Sequence, residues 1–164
     1  MLFARTLLAF LSAAGAAAAQ SEDLYLAIGM MNQARQAQGL QPLAWHPELA
    51  TYAQLWGNQM ATGQVPFGHA PGQMRPQQGE TLYAEQPASC DPAYDAPLQT
   101  AAQSWLSEGA QWGGQPISNG QESWLHWSQI MWSTTTHIGC ARSFGISNPY
   151  QFFSVCRFFP EGNM

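Results

Sequence analysis

The chain has 164 residues, no lysine, five arginines and ten acidic residues, which give a formal net charge of −5 at neutral pH. Because so few cations cannot neutralise a run of phosphates, this composition argues against nucleic-acid binding and against attachment to anionic membranes. Nineteen glutamines, scattered between apolar positions, supply much of the polar surface instead.

The first residues have the pattern of a secretory signal peptide. Arg5 precedes an apolar run, and Ala17 and Ala19 form a small-residue cleavage pattern. The strongly apolar part covers only about ten residues, which is too short for a transmembrane anchor. We therefore expect residues 1–19 to be removed on secretion and residues 20–164 to form one extracellular domain without a transmembrane anchor.

Two amphipathic helices are predicted next. The first begins near Ser21, with acidic residues in its first turn, and ends at Gly39. The second follows Pro47 and ends near Gly63. Between the two helices, the segment QPLAW predicts a turn that buries Trp45.

An irregular loop and a third helix follow. The loop, over residues 65–78, is rich in proline and glycine and contains His69. Asp95 suits the N-cap of the third helix, and Pro97 suits its first turn. The apolar line of this helix leads to Glu108. A carboxylate on a buried helix face needs a partner.

A short strand is predicted at Gly79–Glu85, and a fourth helix at residues 124–131. This helix lies within the segment ESWLHWSQIMW and carries His126 among three tryptophans. A single histidine among aromatic residues is more often a packed core residue than a ligand, so the segment alone favours the packing role.

Two β-like runs near the end of the chain predict an antiparallel hairpin. They cover residues 134–142 and 150–159 and each contains one cysteine. A disulfide between Cys140 and Cys156 fits this arrangement, because secretion implies an oxidising compartment. The chain has three cysteines, so Cys90 is left over, and it is free, buried or paired with another chain.

These segments, in this order, resemble the CAP superfamily of cysteine-rich secretory proteins, antigen 5 and pathogenesis-related 1 proteins. GETLY is similar to the family's GENL segment, and HWSQIMW to its histidine box, H-x-T-Q-V-V-W. IGCAR and VCRFFPEGN are similar to its G-C-A and C-x-Y-x-P-x-G-N segments. The resemblance covers residues 24–163 and implies an α+β fold, a three-layer α-β-α sandwich with a central cleft.

The resemblance also implies that the cleft holds two histidines and two glutamates, which are His69, Glu80, Glu108 and His126. In several members of the family the histidines bind a divalent cation, often zinc. A neutral imidazole is a good zinc ligand, and a neighbouring carboxylate fixes its tautomer. Two histidines are fewer than a closed zinc site needs, so we expect Zn²⁺ or another divalent cation to be held weakly, with several waters.

The other candidate residues favour packing roles. His46 and His137 match no functional position of the family, and we assign them surface or strand roles. Gln129 and Ser128 either border the cleft or serve packing and capping. Six tryptophans are expected mostly in the core, at positions 45, 56, 105, 124, 127 and 132.

Three functions are open at this stage, and binding is favoured over catalysis. Some relatives bind sterols through a mobile aromatic loop or fatty acids between helices, and the aromatic, glycine-rich stretch 112–127 suits such a ligand. A metal-dependent hydrolase would use Glu80 or Glu108 as its general base. The third function is that of a secreted effector or defence protein with an extracellular or host protein as its partner.

Overall fold

The computed structural model describes residues 22–86, 96–145 and 150–164. The expected signal peptide, over residues 1–19, and Cys90 lie outside the described residues. None of the helices in these ranges has the length and apolarity needed to cross a bilayer. The helices are α1 (residues 22–37), α2 (Pro47–Ala61), α3 (Pro97–Ser107) and α4 (Leu125–Met131), and the strands are β1 (Ala44–Trp45), β2 (Gly79–Glu85), β3 (His137–Gly145) and β4 (Gln151–Phe159).

The four strands form one sheet in the order β1-β3-β4-β2. Strand β1 runs parallel to β3, whereas β3 and β2 both pair antiparallel with β4. The predicted hairpin is therefore confirmed, although its first strand begins at His137 and not at residue 134. Strand β1 was not predicted, because two residues are too few to show an alternating pattern.

Helices cover both faces of the sheet, as the predicted α-β-α sandwich requires. Helix α2 packs its buried residues against one face, where it meets Leu82 and Val155. Gly139 allows this close approach, because a side chain there would collide with the backbone of α2 at Leu49 and Ala50. Helices α1, α3 and α4 pack against the opposite face around Trp105.

Helix α3 is capped by a residue from α1, whereas Asp95, which the sequence predicts as its N-cap, lies outside the described residues. The N-cap residue is Ala96, which has no side-chain cap, while Pro97 occupies the first turn as predicted. The buried carboxylate of Asp23 accepts hydrogen bonds from the backbone N–H groups of Leu98 at 3.1 Å and Gln99 at 3.0 Å. A carboxylate from a distant helix thus satisfies the N–H groups that a helix start leaves unpaired.

The prediction of a buried Trp45 is also wrong, because its side chain is 43% exposed. Trp45 lies on the edge strand β1, which has a neighbour on one side only. Leu43 is buried instead, and its backbone N–H and carbonyl both pair with the side-chain amide of Asn32 on α1. Of the other predicted core tryptophans, those at 56, 105 and 124 are buried and those at 127 and 132 are half-buried.

A buried arginine connects α1 to the segment that follows α4. The guanidinium of Arg35 donates hydrogen bonds to the carbonyls of Ile130 at 2.6 Å, Trp132 at 3.0 Å and Thr135 at 3.0 Å. It also donates to the carbonyl of Gln41 at 2.7 Å. Burial lowers the pKa of Arg35 from its ordinary value. The contacts fix the end of the helix that carries His126.

The predicted disulfide between Cys140 and Cys156 is present. The two cysteines are directly opposite each other in the β3–β4 ladder. Both are buried in the core cluster that faces α1, α3 and α4. The bond therefore links the two central strands beneath the helices.

Candidate functional site

The first histidine of the site is held by a buried carboxylate. His69 lies in the loop between α2 and β2, and its Nδ1 is 2.8 Å from Oε1 of Glu80. The side chain of His69 is 54% exposed, whereas that of Glu80 is fully buried. The same Oε1 accepts a hydrogen bond from the backbone N–H of Ala70 at 2.9 Å. Strand β2 thus provides a fixed carboxylate that orients a histidine on a loop.

The second oxygen of Glu80 faces a buried arginine. Arg157 is opposite Glu80 in the β2–β4 ladder, and its Nε lies 2.9 Å from Oε2. Burial lowers the pKa of Arg157, and the charge of Glu80 partly offsets that shift. The contact is an ion pair and not an aligned hydrogen bond. Glu80 is therefore held by His69 on one side and by Arg157 on the other.

The second histidine, His126, is held in a similar way. It lies on α4, and its Nδ1 is 2.7 Å from Oε1 of Glu108, the C-cap residue of α3. Oε2 of Glu108 accepts the backbone N–H groups of His126 at 3.1 Å and Trp127 at 3.3 Å. Next to it, Gly109 makes room for Trp127, because a Cβ there would lie 2.6 Å from the indole nitrogen.

All four predicted residues line one cavity of about 590 Å³. In both pairs the Nδ1 atom contacts a glutamate, so the Nε2 atom is the ring nitrogen left for another partner. Within the ranges described, no three His, Cys, Asp or Glu side chains are grouped closely enough to hold a metal ion. A cation in this cleft would therefore take two imidazole ligands and complete its shell with water.

Glu122, for which the sequence pattern indicates no role, also lines the cavity. Its Oε1 accepts hydrogen bonds from the backbone N–H and hydroxyl of Ser118 and from the backbone N–H of Asn119, at 2.6, 2.7 and 3.0 Å. These donors, led by the backbone N–H groups of Asn119 and Ser118, lower the pKa of Glu122 to about 2. The turn-forming sequence SNGQE was the available signal for this arrangement.

The end of the chain forms another wall of the cavity. The backbone N–H of Gly162 donates to Oε1 of Gln129 at 2.8 Å, and the amide of Asn163 donates to the carbonyl of Leu125 at 2.9 Å. Gln129 is buried and lines the cavity, so it both packs and borders the cleft. Ser128, the other residue with two proposed roles, lines a different cavity.

That second cavity is an aromatic groove of about 470 Å³ beside the cleft. The rings of Trp112 and Trp127 contact each other there, with centroids 5.1 Å apart and planes tilted by 36°. Ile117 and Met164 line both cavities, so the two are neighbours. The residues that line the groove include Trp112, Pro116, Ile117, Trp124, Trp127, Met131 and Trp132.

The chain is similar to known proteins in sequence and in structure. The model of the cysteine-rich secretory protein family, CAP, matches residues 28–158. Pathogenesis-related protein PR-1 of Medicago truncatula is 30% identical over 135 residues, which cover 80% of this chain and 70% of that protein. Pathogenesis-related protein PRMS of Zea mays is 29% identical over 135 residues, 81% of this chain and 74% of that protein.

Solved structures share the fold. BmVAL-1 has a TM-score of 0.64 and 29% identity, and the match covers 75% of this chain and 61% of that protein. NaASP2, solved with Zn²⁺, has a TM-score of 0.60 and 23% identity over 76% of this chain and 63% of that protein. The match covers less than two thirds of BmVAL-1 and less than two thirds of NaASP2. The likeness to NaASP2, at 23% identity, concerns the fold alone.

Proposed function

This chain belongs to the cysteine-rich secretory protein (CAP) family, and from that premise we propose that it is an extracellular binding protein whose cleft holds a divalent cation weakly. The ligands are the imidazoles of His69 and His126. The observation that carries the proposal is the pairing of each Nδ1 with a glutamate, at 2.8 and 2.7 Å. A carboxylate at Nδ1 fixes the tautomer that leaves Nε2 as a lone-pair ligand and makes that nitrogen more basic.

The donor set fits Zn²⁺ or a similar borderline cation. Imidazole nitrogen suits zinc, and the neighbouring carboxylates of Glu108 and Glu122 favour positive charge in the cleft. Bound zinc supplies a Lewis acid that polarises an oxygen or lowers the pKa of a water. In this chain Glu80 and Glu108 orient the histidines, and Arg157 keeps Glu80 in place.

The zinc proposal is tested by calorimetry on a chain in which only the cleft imidazoles remain. The sequence has four histidines, so His46→Ala with His137→Ala leaves His69 and His126. We expect this variant to bind one Zn²⁺ weakly and to lose that binding when His69→Ala and His126→Ala are added. Absence of binding in the first variant, or equal binding after all four changes, would overturn the proposal.

The aromatic groove favours a second function, the binding of an apolar ligand such as a sterol or a fatty acid. Four tryptophans line a concave surface of about 470 Å³, within the size range of small-molecule sites. Trp112 is 44% exposed and packs on Trp127, so it offers apolar surface that a ligand can cover. Covering that surface would release water and favour binding.

A matched pair of tryptophans tests the lipid proposal. Trp112 in the groove and Trp45 on the edge strand are almost equally exposed, at 44% and 43%. We expect Trp112→Ala to weaken saturable sterol or fatty-acid uptake at least tenfold and Trp45→Ala to leave it unchanged. Equal effects of the two changes, or no saturable uptake by the unaltered protein, would rule out the groove as the site.

The geometry favours binding over a hydrolase reaction. A general base needs a carboxylate oxygen within reach of a reacting water. Oε1 and Oε2 of Glu80 contact His69, Ala70 and Arg157, and those of Glu108 contact His126 and Trp127. Both glutamates are therefore already engaged in orienting histidines. Zinc-dependent turnover that disappears in Glu108→Gln would instead favour the hydrolase.

A further inference from the structure

The four histidines of the sequence lie in two pairs. His69 and His126 line the cleft, whereas His46 and His137 contact each other elsewhere. The ring centroids of His46 and His137 are 5.6 Å apart, and the ring planes are nearly perpendicular, at 87°. The resemblance to the family assigned no function to this second pair.

The backbone holds both residues of the second pair firmly. His137 begins β3, where it is opposite Ala44 on one side and Phe159 on the other. His46 directly follows β1 and is the N-cap residue of α2. Its backbone N–H donates to the carbonyl of Ile138 at 2.9 Å. The two rings are thus brought together by the sheet and do not depend on a flexible loop.

The hydrogen bonds of Thr136 are compatible with the metal-binding tautomer of His137. Nδ1 of His137 lies 2.8 Å from the hydroxyl oxygen of Thr136. The same hydroxyl lies 3.3 Å from the carbonyl oxygen of Phe159, which accepts its hydrogen in this arrangement. With the hydroxyl hydrogen on that carbonyl, Nδ1 of His137 donates its own proton to the hydroxyl oxygen and Nε2 keeps its lone pair. A neutral imidazole in this form is a metal ligand.

The environment of His46 also favours a cation. Its Nδ1 is buried and has no hydrogen-bond partner among the residues that the structure describes. A cavity of about 290 Å³ opens beside the ring and is also lined by Glu48 and Tyr52. The hydroxyl of Tyr52 donates to Oε1 of Glu48 at 3.3 Å. The cavity thus adds a carboxylate and space for water next to an imidazole whose Nδ1 makes no hydrogen bond within the described residues.

We propose that His46 and His137 form a second metal site, which binds a borderline divalent transition metal and prefers Cu²⁺. Imidazole ligands suit copper, nickel and zinc, and among these the affinity of a nitrogen site is highest for Cu²⁺. No third protein ligand converges here in the described part of the chain, so water completes the coordination. Glu48 contributes negative charge near the ion.

The test uses the full chain with the cleft histidines replaced. In His69→Ala, His126→Ala protein, the imidazoles that remain are those of His46 and His137. We expect one equivalent of Cu²⁺ to bind and its electron paramagnetic resonance spectrum to show coupling to two imidazole nitrogens. This coupling also distinguishes the pair from a cysteine thiolate. Adding His46→Asn and His137→Gln should weaken binding at least tenfold and abolish the coupling.

Two measurements keep the proposal falsifiable if the fourfold variant does not fold. In the His69→Ala, His126→Ala chain, substoichiometric Cu²⁺ should broaden the imidazole NMR signals of both His46 and His137. Unbroadened signals, a spectrum without nitrogen coupling, or unchanged binding in a folded fourfold variant would overturn the second site. Because zinc binding by the cleft is measured in the complementary variant, failure of one proposal leaves the other intact.

Discussion

Glu108 both orients the imidazole of His126 and caps the helix that carries it. One carboxylate oxygen contacts Nδ1 at 2.7 Å, and the other accepts two backbone N–H groups at the start of α4. Helix α4 has only seven residues, so a single side chain controls a large part of its stability and the direction of its histidine. Local stability and the geometry of the site therefore depend on the same contact.

Replacing this carboxylate should weaken zinc binding. Glu108→Ala removes the acceptor at Nδ1 of His126, and loss of such a partner costs about 10- to 100-fold in metal affinity. The measurement is zinc calorimetry in the His46→Ala, His137→Ala background. Glu161→Gln is the matched control, because Glu161 lines the same cavity and makes no hydrogen bond or ion pair with a histidine in the described part of the chain. An equal loss of zinc affinity in Glu108→Ala and Glu161→Gln would mean that zinc binding depends only on the net charge of the cavity.

Breaking the pair of Glu80 and Arg157 should destabilise the fold. Arg157 is 1% exposed, so Arg157→Met leaves a buried carboxylate without its charged partner. We expect the free energy of unfolding to fall by about 3–5 kcal/mol, measured by urea denaturation. The double change Glu80→Gln, Arg157→Met should be less destabilised than Arg157→Met alone. If the double variant is less stable than Arg157→Met alone, the loss of the ion pair is not the cause of the destabilisation.

Removing the arginine that connects α1 to the end of α4 should also destabilise the protein. Arg35→Met removes the donors to four backbone carbonyls, and the lost hydrogen bonds to Ile130 and Thr135 are buried. Each unsatisfied buried group costs about 1–3 kcal/mol, so we expect a loss of at least about 2 kcal/mol in urea denaturation. Arg75→Met offers a comparison at a half-buried arginine, and a similar loss of stability there would contradict the explanation.

The stability contributed by Glu122 should depend on pH. Hydrogen bonds from Ser118 and Asn119 lower its pKa from an ordinary 4.5 to about 2 in the folded protein. The unfolded chain therefore takes up the proton first as pH falls, so the contribution is complete above about pH 4.5 and is lost as pH falls to about 2. Thermal melts of the unaltered protein and Glu122→Gln should differ at pH 6 and converge near pH 2. A difference that is the same at every pH would contradict this explanation.

Much of the fold and the four cleft residues followed from local patterns and from the resemblance. Helix spacing, the Gly39 turn and the β-hairpin are local features, and the histidine box is a contiguous motif. The contacts of Arg35 join residues as many as 100 positions apart, and no local pattern encodes them. The same reason explains why no local pattern showed the cap of α3, since Asp23 is 75 positions from the N–H of Leu98 that it caps. Trp45 is exposed because it lies on the edge strand β1, and the order of strands in the sheet is not a local feature of the sequence.

The cleft and the aromatic groove share a wall at Ile117 and Met164. On α4, consecutive residues face different ways, with His126 in the cleft and Trp127 in the groove. If a cation in one cavity changes the position of α4, it also changes the affinity of the other cavity for its ligand. Linkage then requires reciprocity: the factor by which zinc alters lipid affinity is the factor by which lipid alters zinc affinity.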